Sequence, residues 1–392
     1  MRIAYVTDQL LPRTATDTHQ MMAMVSALGE AGARVTLFAP ERLGRAAPTR
    51  EDLGEYYDVR PTFDVVTARS VYPSLRGIEK IAHGFRAARY PDVRKSDVIY
   101  TRAIPTVVCA LVARLPVVYE TYRPWPDQRR HLRAVFRWIG RHPTFVGAIL
   151  HSRLAADSYL RIGVPPEKVL IAHNGHDPRV LEPVLSTREA RSYCGLPDGP
   201  TVVYTGHVAA RKGLGLVLDL AESLPEVTFV LVGSEGSGSV ERRAAALRNV
   251  RLVAWMSLAE SVPYLYAADV LIIPPTSKPL KDVGNTVLPI KTFLYLAAGR
   301  AILAPSTPDL LEVLTDGKNA VLVSPDAPQE ALLRLRELLG DSGLRASLAA
   351  QARADGAMYT WARRAEGILE FLREQLPRTS PPADRPVDGF AR

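Results

Sequence analysis

The sequence has few cysteines, and this scarcity excludes two kinds of stabilisation. Only Cys109 and Cys194 occur among 392 residues, in different regions and without histidines at a metal-ligand spacing. Neither a disulfide framework nor a structural zinc site is therefore expected. A reducing cytoplasm fits this composition best.

Long apolar runs are also missing, and none reaches the ~20 residues that a membrane-spanning helix needs. Residues 1–7 run straight into a buried type of strand, without the charged, apolar and cleavage regions of a signal peptide. We therefore expect a cytoplasmic protein.

Aromatic residues are sparse, at 7%, and do not alternate with basic ones as a nucleic-acid stacking platform would require. The net charge is +8, and residues 1–174 carry the excess, with 25 Lys and Arg against 16 Asp and Glu. Such a half could attract an acidic acceptor, a phosphate-rich ligand or an anionic membrane, although a GC-rich genome would produce the same excess of arginine. Nucleic acid is not an expected partner.

Apolar runs alternate with helix-like segments along most of the chain. Residues 2–7 predict a strand, 21–28 a helix and 34–39 the next strand, which together form a βαβ unit. This alternation is typical of a parallel sheet covered on both faces and of doubly wound α/β domains.

The composition changes mark the domain limits. We predict an N-terminal domain at 1–174 and a linker rich in Pro, Gly and polar residues at 175–199. A C-terminal domain with closing helices follows at 200–376, and the tail at 377–392 should be disordered.

Each predicted strand in residues 200–326 ends in a small polar turn before a helical stretch. Backbone N–H groups and cations at such turns bind phosphate groups. The sequence therefore predicts a nucleotide ligand carrying a diphosphate.

The order and spacing of several short motifs resemble the family 4 glycosyltransferases with the GT-B fold. The resemblance covers almost the whole chain, and its main segments are 18–19 (TH), 100–102 (YTR), 171–177 (IAHNGHD), 204–213 (YTGHVAARKG), 268–274 (ADVLIIP), 289–300 (PIKTFLYLAAGR) and 308–314 (PDLLEVL). It implies two Rossmann-like domains facing across a cleft, with a sugar nucleotide held by the second and an acceptor by the first. It also implies retention of configuration.

Cations near the second domain's first strand match donor contacts of that family. The resemblance places Lys212, with Arg211 beside it, at the leaving diphosphate, where a cation stabilises departing negative charge. Gly206 and His207 would contact the nucleotide, although many relatives carry arginine at the position of His207. The alternative for Lys212, which we do not favour, is a solvated loop lysine.

The segment before residue 291 is predicted to open a helix. Unpaired N–H groups there would let Asn285, Thr286 and Val287 contact the diphosphate or the sugar, or would simply form a polar helix entry. Relatives carry two glutamates around this helix, where this chain has Thr286 and Leu294. Because Leu294 cannot accept hydrogen bonds from a ribose diol, we expect the nucleotide to be held differently or the donor to be unusual.

In the first domain, the resemblance places a histidine where this chain has Tyr122. Glu120 and Tyr122 are expected to form a polar pair in the cleft, as catalytic candidates. Asp17 and His19, at the start of the first helix, are candidates for substrate contact or for capping that helix. No cluster has metal-ligand spacing, so neither a metal nor a cofactor is expected.

Residues 129–141 place apolar side chains on one helical face and five arginines largely on the others. The pattern fits a core-facing helix with a solvated basic side, which we favour, or a helix lying on an anionic bilayer at the inner face of the membrane.

Taken together, the sequence predicts a glycosyltransferase that moves a sugar from a nucleoside diphosphate to an acceptor, without a metal ion and with retention of configuration. The acceptor classes left open are small natural products, lipid-linked molecules and saccharides. The alternative is a catalytically impaired GT-B protein acting as a binding or partner subunit, because the usual two glutamates and the histidine are replaced by Thr286, Leu294 and Tyr122.

Overall fold

The computed structural model describes residues 1–41, 44, 46–69, 77–236, 238–281 and 288–376, which form two parallel sheets with helices on both faces. The first sheet has the order β3-β2-β1-β4-β5-β6-β7 and the second the order β10-β9-β8-β11-β12-β13. The strands are β1 Arg2–Val6, β2 Arg34–Glu41, β3 Phe63–Arg69, β4 Val98–Thr101, β5 Val117–Thr121, β6 Phe145–Leu150, β7 Val169–Ile171, β8 Thr201–Thr205, β9 Thr228–Ser234, β10 Val250–Ala254, β11 Val270–Ile272, β12 Ala301–Pro305 and β13 Val321–Val323.

The helices connect successive strands, as right-handed crossovers of a doubly wound fold require. They are α1 Thr16–Glu30, α2 Arg50–Tyr57, α3 Gly77–Arg89, α4 Pro91–Arg94, α5 Ile104–Val112, α6 Trp125–Gln128, α7 Leu132–Arg141, α8 Arg153–Arg161, α9 Thr187–Tyr193, α10 Leu214–Ser223, α11 Ser239–Ala244, α12 Leu258–Ala267, α13 Lys278–Lys281, α14 Lys291–Ala298, α15 Pro328–Gly340, α16 Ser342–Gly356 and α17 Trp361–Gln375. In the described part of the chain, no helix is long and apolar enough to cross a membrane.

The central strands are buried on both faces because helices cover both sides of each sheet. All residues of β5, β8 and β12 are buried, which explains why their sequences do not alternate between apolar and polar residues. The predicted α/β class with two Rossmann-like domains is confirmed.

Helix α17 belongs to the first domain, although the sequence places it among the closing helices of the second. Its apolar face, which includes Ile368 and Leu372, packs in one cluster with Ile3, Tyr5 and Ile149 of the first sheet. The amphipathic pattern predicts the helix but does not contain information on which sheet it covers.

The predicted linker is partly structured. Ser186 and Glu189 form a capping box at the start of α9, and Ala190 and Leu196 are buried in the core of the second domain. Residues 186–196 therefore pack as part of that domain rather than spanning between the two.

The chain crosses between the domains twice, near residue 176 and near residue 360, and the two crossing segments are in contact. The His176 N–H donates to the Tyr359 carbonyl at 3.0 Å, and the Trp361 N–H donates to the His176 carbonyl at 3.1 Å. Only glycine fits beside this contact at position 175, because a Cβ there would lie 2.5 Å from the carbonyl carbon of Thr360. The two crossings thus form one short connection.

The segment 129–141 largely forms α7, whose apolar face is used inside the first domain. Phe136 and Ile139 are buried, and Leu132 and Val135 pack against the same cluster. The core-facing interpretation therefore explains the apolar face, while Trp138 stays 45% exposed on the other side.

Candidate functional site

A cavity of about 1530 Å³ lies between the two domains. Its second-domain wall is made by the turns that follow β8, β9, β10, β11 and β12, at the carboxyl ends of those parallel strands. This is the edge at which open α/β sheets bind ligands. Its first-domain wall includes residues from the segments 13–31 and 56–60, together with Tyr122 and with Trp361 of α17.

Lys212 and Arg211 both line this cavity, on a 3₁₀ turn at Ala210–Lys212 that follows β8. The turn ends at Gly213, whose φ of +79° is a conformation that favours glycine. Burial, and then the neighbouring Arg211, lower the pKa of Lys212. The structure thus places the predicted pair at the cavity wall.

Lys291 is a third cation at the same wall, and none of the sequence motifs assigns it a role. It is the first residue of α14, and its Nζ lies 3.6 Å from the centroid of the Tyr204 ring. Burial, and then the charge of Lys212, hold the pKa of Lys291 well below its usual value. A lysine in a first helical turn opposes the helix dipole, and this is the signal that could have identified it.

Neither Lys212 nor Lys291 forms a salt bridge with a carboxylate in the described ranges. Two cations near one another, partly or fully withdrawn from water and without a counter-charge, are unfavourable unless an anion joins them. The cavity therefore has the electrostatic character of a phosphate site.

Gly206 and His207 lie on the turn directly after β8. Gly206 has a φ of +126°, and a Cβ there would come within 2.8 Å of Lys291 Nζ, so a side chain would displace that ammonium group. His207 Nδ1 lies 3.3 Å from the exposed carboxylate of Glu235, and both residues line the cavity. The structure thus places Gly206 beside Lys291 and both predicted contacts at the cavity wall.

Leu294, one turn after Lys291, lines the cavity and is 5% exposed. It packs in the apolar cluster that includes Leu288 and Leu310. The other donor contacts predicted on this segment, Asn285, Thr286 and Val287, lie outside the described residues.

On the first-domain side, Asp17, His19 and Tyr122 line the cavity. Burial lowers the pKa of His19, and its ring meets Tyr57 edge-on at 4.9 Å. The capping interpretation for this helix start is wrong, because the N-cap residue is Ala15 and no side chain caps α1. Asp17 still lies in the first turn, where a carboxylate is favourable.

Glu120 does not line the cavity, and the prediction that it pairs with Tyr122 in the cleft is wrong. It is fully buried, and its Oε1 accepts hydrogen bonds from Arg102 at 2.7 Å, His151 at 2.6 Å and Arg364 at 2.9 Å. Burial raises the pKa of Glu120, but the two arginines and the histidine outweigh this effect and hold it well below its usual value. Glu120 is the centre of a structural charge network.

Chemically, the cavity offers cations on one wall and polar or aromatic groups on the other. Among the residues that the structure describes, no group of three or more His, Cys, Asp or Glu side chains is arranged to hold a metal ion. The arrangement can bind an anionic ligand across the carboxyl ends of β8–β12 and leaves space for a second molecule towards α1 and α2.

Solved structures show that this fold is the GT-B fold. A crystal structure of the Anabaena protein HepE in complex with UDP and glucose covers 95% of this chain and 99% of its own, at 17% identity and a TM-score of 0.70. A sucrose-phosphate synthase from Thermosynechococcus elongatus covers 95% and 98%, at 18% identity and a TM-score of 0.72. At such identities the likeness defines the fold alone.

Family models complete the assignment. The family described as "Glycosyltransferase Family 4" matches residues 19–180, and "Glycosyl transferases group 1" matches residues 199–341. Together these two matches cover most of both domains. The chain belongs to the family 4 glycosyltransferases, as the motif order predicts.

Curated relatives are more distant. A D-inositol 3-phosphate glycosyltransferase of Salinispora arenicola is 26% identical over 253 residues, which are 58% of this chain and 54% of the relative. The sulfoquinovosyl transferase SQD2 of Arabidopsis thaliana is 25% identical over 68% of this chain and 54% of its own. An alpha-D-kanosaminyltransferase of Streptomyces kanamyceticus is 23% identical over 60% and 62%. The chain thus spans about half the length of the first relatives.

Proposed function

We propose that this protein transfers a sugar from a nucleoside diphosphate sugar to an acceptor. The observation that carries the proposal is the pair Lys212 and Lys291, two cations without a carboxylate partner at the cavity wall in the described part of the chain. Family membership supports it, because the relatives named above are all glycosyl-group transferases.

In this proposal the donor diphosphate lies against Lys212, Lys291 and the backbone of the turn after β8. Bond cleavage leaves negative charge on the departing diphosphate, and ammonium groups fixed in a partly buried site stabilise that charge more than water would. These cations take the role that a metal ion has in other phosphate sites, and retention follows the family resemblance. The acceptor approaches from the first domain, past Tyr122, Asp17 and His19.

Binding and activity assays identify the donor and acceptor classes, and UDP-sugars are the first donors to test. The crystal structure of HepE contains UDP and glucose, which makes UDP the first nucleotide to try. Small natural products, lipid-linked molecules and saccharides are the acceptor classes to screen.

The test measures donor binding and turnover separately. The purified chain is melted with UDP-, GDP-, ADP- and dTDP-sugars, since a ligand of the folded state raises the melting temperature. Release of the nucleoside diphosphate is then measured for the best donor. Lys212→Ala should abolish release, whereas Lys318→Ala, on an exposed turn of the same domain, should not change it.

Each result has a distinct meaning. Binding with release that depends on Lys212 supports the proposal. Binding without release, with any acceptor class, or no binding to any sugar nucleotide would contradict the proposal and favour the non-catalytic GT-B alternative.

A further inference from the structure

Asp309 is a buried carboxylate at the cavity wall that the donor site described above does not use. It is 2% exposed and follows β12, on the turn that leads into the 3₁₀ turn at Leu310–Glu312. Asp309 Oδ2 accepts a hydrogen bond from the Leu288 N–H at 2.6 Å. Its other oxygen, Oδ1, is buried and has no hydrogen-bond partner among the described residues.

The surroundings of this oxygen are apolar. Leu288, Leu294 and Leu310 belong to one apolar cluster, and all three line the cavity together with Asp309. No cation pairs with Asp309 in the part of the chain that the structure describes. A buried carboxylate oxygen without a partner is costly, so a hydrogen-bond donor from outside the protein would be bound strongly there.

Leu294, on the same wall, has no hydrogen-bond acceptor at the position where the family resemblance places a carboxylate. The hydrogen bond from the Leu288 N–H fixes Asp309 to the segment that leads into α14, and Leu294 lies on that helix. We propose that Asp309 Oδ1 accepts a hydrogen bond from a hydroxyl group of the sugar nucleotide and is a specificity-determining residue for the donor. This inference rests on the proposed function.

Two hydroxyl sources share this chemistry, the ribose of the nucleotide and the sugar to be transferred. The variant Asp309→Asn keeps an oxygen for the Leu288 N–H and turns an NH₂ group towards the hydroxyl. Asp316→Asn is the matched control, because Asp316 also accepts one backbone N–H, from Leu322 at 2.8 Å, and does not line this cavity.

The test uses the full chain and three probes measured by calorimetry. They are the nucleoside diphosphate among UDP, GDP and ADP that binds best, its 2′-deoxy form, and its glucose conjugate. Asp309→Asn should weaken at least one of the ribose-containing probes by about tenfold or more, as expected for loss of a charged hydrogen bond. Asp316→Asn should leave all three affinities unchanged.

The three probes distinguish the two hydroxyl sources. If a ribose hydroxyl is the partner, the variant weakens the diphosphate and its glucose conjugate alike. The 2′-deoxy form then binds both proteins equally if the 2′-hydroxyl is the partner, and is weakened as well if the 3′-hydroxyl is the partner. If the transferred sugar is the partner, only the glucose conjugate weakens. Melting of the ligand-free variant reports its fold, and Asp309→Glu, which keeps the carboxylate, should bind more tightly than Asp309→Asn.

Equal affinities of the unmodified protein and a folded Asp309→Asn for every probe would overturn this inference while leaving the proposed function intact. If the unmodified protein binds none of the probes, this inference is overturned, whereas the proposed function is contradicted only if UDP-, GDP-, ADP- and dTDP-sugars all fail to bind as well.

Discussion

The two domains treat buried charge in opposite ways. In the first, Glu120 is surrounded by Arg102, Arg364 and His151, so that a fully buried carboxylate has more than one counter-charge or hydrogen-bond donor. In the second, Lys212 and Lys291 share a cavity wall and lack a carboxylate partner among the described residues. A charge neutralised within the protein supports the fold, whereas one left without a partner costs stability and attracts a ligand.

Removing the charge of Glu120, at the centre of the charge network in the first domain, should have the largest effect on stability. Glu120→Gln leaves two arginines beside a neutral amide, and breaking a buried ion pair in this way costs about 3–5 kcal/mol of unfolding free energy. Urea unfolding measures the loss. As a control, Asp64→Asn alters an exposed carboxylate 3.7 Å from Arg50 and should change stability by less than about 1 kcal/mol.

A Glu120→Gln protein that unfolds at the same urea concentration as the unmodified chain would contradict the structural role of the network.

The second domain should respond in the opposite direction. Lys291→Met removes a buried ammonium group without a counter-charge among the described residues, so the ligand-free protein should melt at a higher temperature. The same change should weaken binding of the best nucleoside diphosphate by about 10- to 100-fold, because a charged hydrogen-bond partner of phosphate is lost. Lys318→Met is the matched control on the surface.

A variant that binds the diphosphate as tightly as before would remove Lys291 from the phosphate site. A lower melting temperature would show instead that its contact with the Tyr204 ring outweighs the cost of burying the charge.

A smaller loss of stability is expected at acidic pH. Burial lowers the pKa of His151 to about 4, and the hydrogen bond to Glu120 offsets this only in part. The unfolded chain, with a histidine pKa near 6.5, therefore binds more protons than the folded one in this interval, and stability falls as the pH falls from about 6.5 to about 4. At pH 5 the loss should be on the order of 2 kcal/mol.

Urea midpoints at pH 7 and pH 5 measure this loss. His151→Gln should have a flatter dependence, since Gln keeps a donor for Glu120 but does not titrate. An unchanged slope in that variant would assign the acid sensitivity to other groups.

Much of the fold is readable from the sequence because local patterns decide it. The alternation of buried strands and helices identifies β1, α1 and β2 to within a few residues, and motif order identifies the family. Packing partners cannot be predicted in this way, because no local pattern distinguishes a helix that covers one sheet from a helix that covers the other. The assignment of α17 to the second domain fails for this reason.

The residues of the candidate site also fall into two groups, those that local sequence identifies and those that only the three-dimensional structure identifies. Lys212 and His207 follow directly from a strand and its turn, and they do line the cavity. Glu120 also lies on a strand, yet its neighbours come from positions 18 to 244 residues away in sequence, which no spacing predicts. Lys291 and Asp309 are identified only by what surrounds them in space.

The return of α17 to the first domain also determines the order in which the protein can be completed during synthesis. The strands of the first sheet leave the ribosome long before residues 361–375 exist, so the apolar cluster that α17 completes, which includes Ile3 and Ile149, stays partly uncovered in the meantime. During this interval Glu120 also lacks Arg364. Nascent chains stopped before residue 361 should therefore bind chaperones that recognise apolar surface.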